Sequence, residues 1–311
     1  MKVLVFGSAN IDKTYTIDHF VDAGETVSAD KMELFCGGKG FNQAVAFSRA
    51  GCDTYFAGAV GSDGDILKSA LSSDNINLEY LKTVKGPSGH AIIQVNPDGQ
   101  NSIIILAGAN GEISRSDVDN VISGFGPGDL IVLQNEISNV GYIIEKAKDA
   151  GLVIALNPSP YNEKVASYDL SKVDYLLINE VEGGQISGSP EPDKILNILH
   201  CKYPDMSILL TLGCRGSAFM SSGGEISCCG IYKTTAVDTT AAGDTFTGYF
   251  LSGIINDLSI KESLERAAIA SGISVSRHGA SLSIPNIAEV RGADSSCVQK
   301  ASIFSNEEAK P

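Results

Sequence analysis

Short, unbroken apolar runs recur along the 311-residue chain at 2–6, 54–59, 130–133, 153–157, 175–179 and 208–212, with segments of helical spacing between them. This alternation constrains the fold more than any other feature. Successive side chains of a strand point to opposite faces, so a strand that is apolar at every residue must be covered on both sides. The segments predicted as helices, 40–50, 65–73, 138–150, 193–202 and 243–255, supply those covers. The expected fold class is therefore α/β, a mostly parallel central sheet flanked by helices.

Residues 12–36 and 88–107 break the rhythm with period-two patterning, turn signals and no helix. "NPDGQN" reads as the turn between two strands of the second stretch. Together these insertions predict a small antiparallel β sheet, which must bury one face against a cleft or a second copy and so acts as a lid. No Pro/Gly/Ser linker and no internal repeat divides the chain, so 1–290 is expected as one domain and 291–311 as a loosely held tail.

Composition narrows the function classes. With 23 basic against 37 acidic residues, net charge is −14, and no Lys/Arg cluster offers itself to a phosphate backbone, so nucleic acid is an unexpected partner. The apolar runs are strand-sized, which predicts no membrane span, and the opening "MKVLVFGSAN" stops too soon for a signal peptide. The seven cysteines (36, 52, 201, 214, 228, 229, 297) lack C-x-x-C spacing and read as reduced thiols of a cytoplasmic protein. His19, His90, His200 and His278 share no ligand spacing and are assigned to surface or packing roles.

Several turns carry possible chemistry, each with a plainer alternative. "GSANID" follows the first strand, where ligands sit in open α/β sheets, and presents Asn10 and Asp12; an Asx-turn is the alternative. "CGGKGFNQAVAFSRAG" opens a helix with glycines that let backbone approach a ligand, or simply make a tight turn; it is no P-loop. In "NEVEGG", Asn179 and Glu182 could hold hydrated Mg2+ or form a capping box. "TLGCRGS" is a glycine-bearing turn suited to phosphate or ribose. In "DTTAAGDTFTGYF" small residues precede Asp244 at a helix start, where it could cap the helix or accept a proton from a hydroxyl.

Taken in order, "N-x-D", "GGKGFNQA", "NEVE", "TLGCRG" and "DTTAAGDTF" resemble the ribokinase family of PfkB-type sugar kinases. The resemblance runs from about residue 2 to 285 and is reinforced by "GETV", "AGAN" and "ALNPSP". It implies an ATP-dependent kinase acting on the primary hydroxyl of a pentose, ribose first, with Asp244 as base and the N–H groups of Ala241, Ala242 and Gly243 as anion hole. It assigns Asn10, Asp12, Gly38, Lys39, Asn42 and Glu136 to the sugar. Asn179, Thr211, Gly213, Gly216 and Gly243 fall to the nucleotide, and Glu182 to Mg2+ through water. K+ would lie by Asp238, Thr240, Ser274, Arg277, Gly279 and Ser283, mainly on backbone oxygens. A homodimer through the β lid is also implied.

Two positions depart from the family pattern. Phe41 replaces a small residue and either reshapes the sugar pocket or packs away from it, and Ala268 stands where some relatives are polar near adenine. A kinase for another sugar or a nucleoside is the rival reading within the family. A sugar-binding regulator without activity is the rival from another class, weighed down by the joint presence of Asp244, the small-residue turn and the N-x-x-E pair. A nicotinamide-dependent dehydrogenase lacks its G-x-G-x-x-G fingerprint.

Overall fold

The computed structural model describes residues 1–98 and 100–301. In chain order its strands are β1 (Val3–Phe6), β2 (Asn10–Thr16), β3 (Lys31–Gly37), β4 (Thr54–Val60), β5 (Leu81–Thr83), β6 (Gly89–Val95), β7 (Asn101–Leu106), β8 (Leu130–Gln134), β9 (Val153–Asn157), β10 (Tyr175–Asn179), β11 (Ser207–Thr211), β12 (Ser217–Met220) and β13 (Ile226–Cys229). Its helices are α1 (Lys39–Arg49), α2 (Asp65–Ser73), α3 (Arg115–Ile122), α4 (Val140–Asp149), α5 (Glu180–Ser187), α6 (Pro192–Lys202), α7 (Ala242–Ile255), α8 (Ile260–Val275), α9 (Ala280–Ser283) and α10 (Ile287–Gly292).

The central sheet runs β13-β12-β11-β10-β9-β8-β1-β4-β5. Every pair from β11 to β5 is parallel, and β12 and β13 extend one edge in antiparallel fashion. Strand β1 illustrates the two-sided burial expected of its composition. Leu4 and Phe6 enter one core with residues of α3, α4 and α6, while Val3 and Val5 enter a second core with α1, α2, α7 and α8. Within the second core α1 and α7 touch almost backbone to backbone, because a Cβ on Gly248 would lie 2.5 Å from that of Ala46. That close approach brings the first turns of both helices together at the carboxyl edge of the sheet.

The two inserted regions form a four-stranded sheet, β3-β2-β6-β7. It consists of two antiparallel pairs, β2/β3 and β6/β7, joined through a parallel β2/β6 pair. At its base Asn10 lies in register with Gly37 on one side and Gly89 on the other, so the lid meets the main body at the residues that follow β1. The turn expected at "NPDGQN" includes Gly99, which lies outside the described residues. At the outer edge Ile104 and Ile105 are each 63% exposed.

Of the tail expected from 291, residues 302–311 lie outside those described. Before them, the Lys233 N–H donates to the Cys297 carbonyl at 3.0 Å and the Gln299 N–H to the Ile231 carbonyl at 2.9 Å. No helix among the described residues is long and apolar enough to cross a membrane.

Candidate active site

Helix α7 begins without a side-chain cap. Ala241, just before it, sits in the left-handed region at φ 61°. The Ala242 N–H donates to the Thr239 carbonyl at 3.2 Å, while those of Gly243 and Asp244 meet no protein acceptor among the described residues. Asp244 therefore does not spend its carboxylate on its own helix. It turns toward α1, where Oδ2 accepts from Asn42 Nδ2 at 3.0 Å and Oδ1 from Gln43 Nε2 at 2.9 Å. Each oxygen keeps a further lone pair for another donor. Asn42 Oδ1, buried, has no partner among the described residues.

Around this carboxylate the turns after β1, β3 and β8 converge. Asn10 Oδ1 accepts from Asn110 Nδ2 at 2.8 Å, and Asn110 Oδ1 accepts from the Ala9 N–H at 3.1 Å. Glu136 Oε2 accepts from the Lys39 N–H at 3.0 Å and from the Ser8 hydroxyl. Gly38 forms the turn from β3 into α1. Burial raises the Glu136 carboxyl above its ordinary value, against the pull of Ser8 and Lys39. Burial, then the neighbouring Glu136, pushes Asp12 up to about 6. At Lys39 burial favours the neutral amine, but the carboxylates of Asp244, Glu136 and Glu182 outweigh it and hold the ammonium above its usual value. One cation thus faces three acids in a partly dehydrated space.

On the far side of α7's first turn lies a cavity of about 340 Å³. Thr211, Gly213, Gly216, Tyr232, Ala242, Gly243 and Ala268 are among the residues that line it. Its volume suits a small-molecule ligand. Gly243 is exposed and a Cβ there would meet nothing within 4 Å. Asn179 does not line this cavity. Asn179 Oδ1 accepts from the Glu182 N–H at 2.9 Å and Glu182 Oε2 from the Asn179 N–H at 3.1 Å, the capping box weighed above as an alternative.

The residues that the family resemblance assigns to a monovalent cation lie beside the same turn. Asp238 Oδ1 accepts from the Thr240 N–H at 2.9 Å and Oδ2 from the Gly279 N–H at 3.0 Å. Burial opposes its charge, yet the bonds from Thr240 and Gly279 together hold it below the usual carboxylate value. The hydroxyls of Ser274 and Ser283 are 2.7 Å apart, and the Arg277 side chain pairs with Glu289, which turns its charge away from Asp238. Among the described residues no three His, Cys, Asp or Glu side chains converge as a metal cage.

Phe41 is 1% exposed and packs in the second core, so its ring leaves the cleft to Asn42. Ser8, Gln43, Asn110, Gln134 and Asn157 escaped the sequence reading. Each is a neutral side chain whose partners are remote in sequence; "GSANID", "GGKGFNQA", "AGAN" and "ALNPSP" contain four of them, but none of these motifs gives them a task.

The fold and this cleft define a phosphotransferase architecture, and comparison with known proteins agrees. The model of the pfkB family of carbohydrate kinases matches residues 1–287. A ribokinase from Haemophilus influenzae is 33% identical over 90% of this chain and 94% of its own, and one from Staphylococcus aureus 33% over 93% and 98%. The structure of Arabidopsis thaliana ribokinase complexed with ribose and ATP superposes with a TM-score of 0.83 at 32% identity, covering 93% of this chain and 97% of that one. The chain belongs to the pfkB family of carbohydrate kinases.

Proposed function

We propose that the protein transfers the γ-phosphoryl group of ATP to the primary hydroxyl of D-ribose, giving ribose 5-phosphate. The observation that carries this reading is the position of α7's first turn. Its Asp244 carboxylate turns to Asn42 and Gln43, beside the polar residues after β1 and β8, while Ala242 and Gly243 line a cavity of about 340 Å³. A hydroxyl on one side and a phosphoryl group on the other would meet across that turn.

Asp244 accepts the proton of the attacking hydroxyl. The N–H groups from Ala241 to Gly243, with the positive end of α7 behind them, take the charge of the transferring group, Gly243 being the freest donor. Asn10, Asp12, Gly38, Lys39, Asn42 and Glu136 hold the sugar, and the orphaned Asn42 Oδ1 is an acceptor suited to one of its hydroxyls. Thr211, Gly213 and Gly216 line the nucleotide, with Asn179 at the neighbouring strand end. Phosphoryl transfer requires positioning and charge stabilisation more than covalent chemistry, which this set of groups supplies.

A Glu182 with one oxygen committed to its helix cap fits Mg2+ held through water, the metal neutralising phosphate charge when bound. An ionised Asp238 beside Thr240, Ser274, Arg277, Gly279 and Ser283 fits K+, with backbone carbonyls completing the shell. The exposed isoleucines of β7 support a homodimer through the lid, and seven free cysteines support a cytoplasmic protein.

The test is ATP turnover with ribose, deoxyribose, fructose and adenosine, with and without K+. Ribose is expected to give the highest kcat/KM; no turnover with ribose rejects the assignment and points to another sugar or a nucleoside.

A further inference from the structure

The polar network continues beneath Asp244 into side chains to which the reading above gives no task. A carboxylate only accepts, so the Gln43 amide that meets Asp244 Oδ1 at 2.9 Å presents its NH2 to it. Its carbonyl Oε1 then faces the other way, where it accepts from Gln134 Nε2 at 2.6 Å. Both glutamines are completely buried. Gln134 ends β8, and its carboxamide fits because Gly7, just past β1, has no side chain. A Cβ on Gly7 would lie 2.0 Å from Gln134 Oε1.

That Oε1 has no partner among the described residues. A buried amide oxygen left unpaired costs the fold stability. A methionine would fill the same volume without that cost. What Gln134 does supply is a donor to Gln43. On the other side, Asn157 Nδ2 donates to the Leu177 carbonyl at 2.8 Å, which turns Asn157 Oδ1 toward Gln43 Nε2 at 3.5 Å. The Gln43 amide is therefore held in one orientation from both of its ends.

We infer that Gln134 is a positioning residue for phosphoryl transfer: by donating to Gln43 it fixes the amide that holds the Asp244 carboxylate toward the sugar hydroxyl. The donors run one way, Gln134 to Gln43 to Asp244. Reversing the first link turns the Gln43 carbonyl toward a carboxylate, and the second link is lost. The inference rests on Asp244 being the base.

The experiment compares Gln134→Glu with Gln134→Met, measuring kcat from about pH 6 to about pH 9 and ribose affinity by calorimetry over the same range. The introduced carboxyl donates to Gln43 only while protonated, and burial keeps it protonated at the lower end of that range. In Gln134→Glu, kcat should fall at least about tenfold as pH rises and that acid ionises. Wild type and Gln134→Met should lack this descending limb, and ribose affinity should stay within about threefold in all three proteins. Profiles of Gln134→Glu and Gln134→Met that run parallel overturn the inference, as does a ribose affinity that falls in step with kcat. Asp244→Asn is assayed alongside. Turnover retained there overturns the base assignment and this inference together; an inactive Asp244→Asn with parallel Gln134 profiles overturns the positioning role alone.

Discussion

Asn42 Nδ2 donates to Asp244 Oδ2 at 3.0 Å, joining the first turn of α1 to the first turn of α7 across 202 positions of sequence. The contact decides between two uses of an aspartate at a helix start. A capping carboxylate would fold back on its own N–H groups, whereas this one is held outward by Asn42 and Gln43, leaving those N–H groups to a ligand.

Asp244→Asn keeps the shape of the side chain and removes its capacity to take a proton. kcat should fall by about 10³-fold, with ribose affinity changed by no more than a few-fold. Steady-state ADP release and calorimetry measure the two quantities, and turnover near the wild-type rate removes Asp244 from the base role.

Asp12 sits at a conflict between stability and binding. Its carboxyl is pushed up to about 6 by burial and by Glu136. A folded-state value above the unfolded one means the folded chain binds the proton more tightly, so this group's contribution to stability is lost as pH rises from about 4 through about 6. Asp12→Asn should then stabilise the fold by about 1–2 kcal/mol at neutral pH in denaturant titrations. The ionised form is the better acceptor for a sugar hydroxyl, so the variant should bind ribose at least about tenfold more weakly. In the wild type, KM for ribose should rise as pH falls through about 6. A flat KM across that range removes Asp12 from the sugar.

Asp238 straps the 238–240 turn to Gly279 with a carboxylate held below its ordinary value. If K+ binds there as proposed, Asp238→Ala should raise the K+ concentration for half-maximal turnover by at least about tenfold, since it removes a charge and the strap together. Turnover titrated with K+ at constant ionic strength checks this. An unchanged K+ response places the cation elsewhere.

Phe41 is a core residue despite its place in the glycine-rich turn of the sugar cleft. Phe41→Ala should cost about 3–4 kcal/mol of stability in urea unfolding. Phe41→Leu, closer in volume, should leave the order of preference among ribose, deoxyribose and fructose unchanged. A reordered preference would mean that the ring shapes the pocket after all.

Much of the fold was legible because buried parallel strands announce themselves locally. The runs at 153–157 and 175–179 became β9 and β10 at those residues, and those at 2–6, 54–59, 130–133 and 208–212 differ from β1, β4, β8 and β11 by one residue at one or both ends, whereas β5, β12 and β13 were not among the runs read as strands. Helices α3, α5 and α8 were not read as helices, although Ser114–Asp117, Asn179–Glu182 and Ser259–Glu262 form capping boxes that the sequence spells out. In α5 the apolar pattern is weak and two glycines, Gly183 and Gly184, interrupt it.

The site divides along the same line. Glu136 entered only through the family resemblance, but Asn10, after β1, and Asn179 and Thr211, at the ends of β10 and β11, could be assigned to the carboxyl edge of the sheet from the strand pattern. Gln43, Asn110, Gln134 and Asn157 could not. They are uncharged amides in helices, turns and strand ends, and although three of them lie in motifs of the family resemblance, nothing local names their partners. Their roles come from partners on other elements, and from Gly248 and Gly7, whose missing side chains let α1 meet α7 and let Gln134 reach Gln43. The layered sheet, its open edge and the turns that line it follow from local hydrophobic period and turn chemistry alone. Which way Asp244 faces, and that two glutamines beneath it share one donor direction, came only with packing. A hydrogen bond is a matter of ångströms between elements that the chain brings together only when it packs.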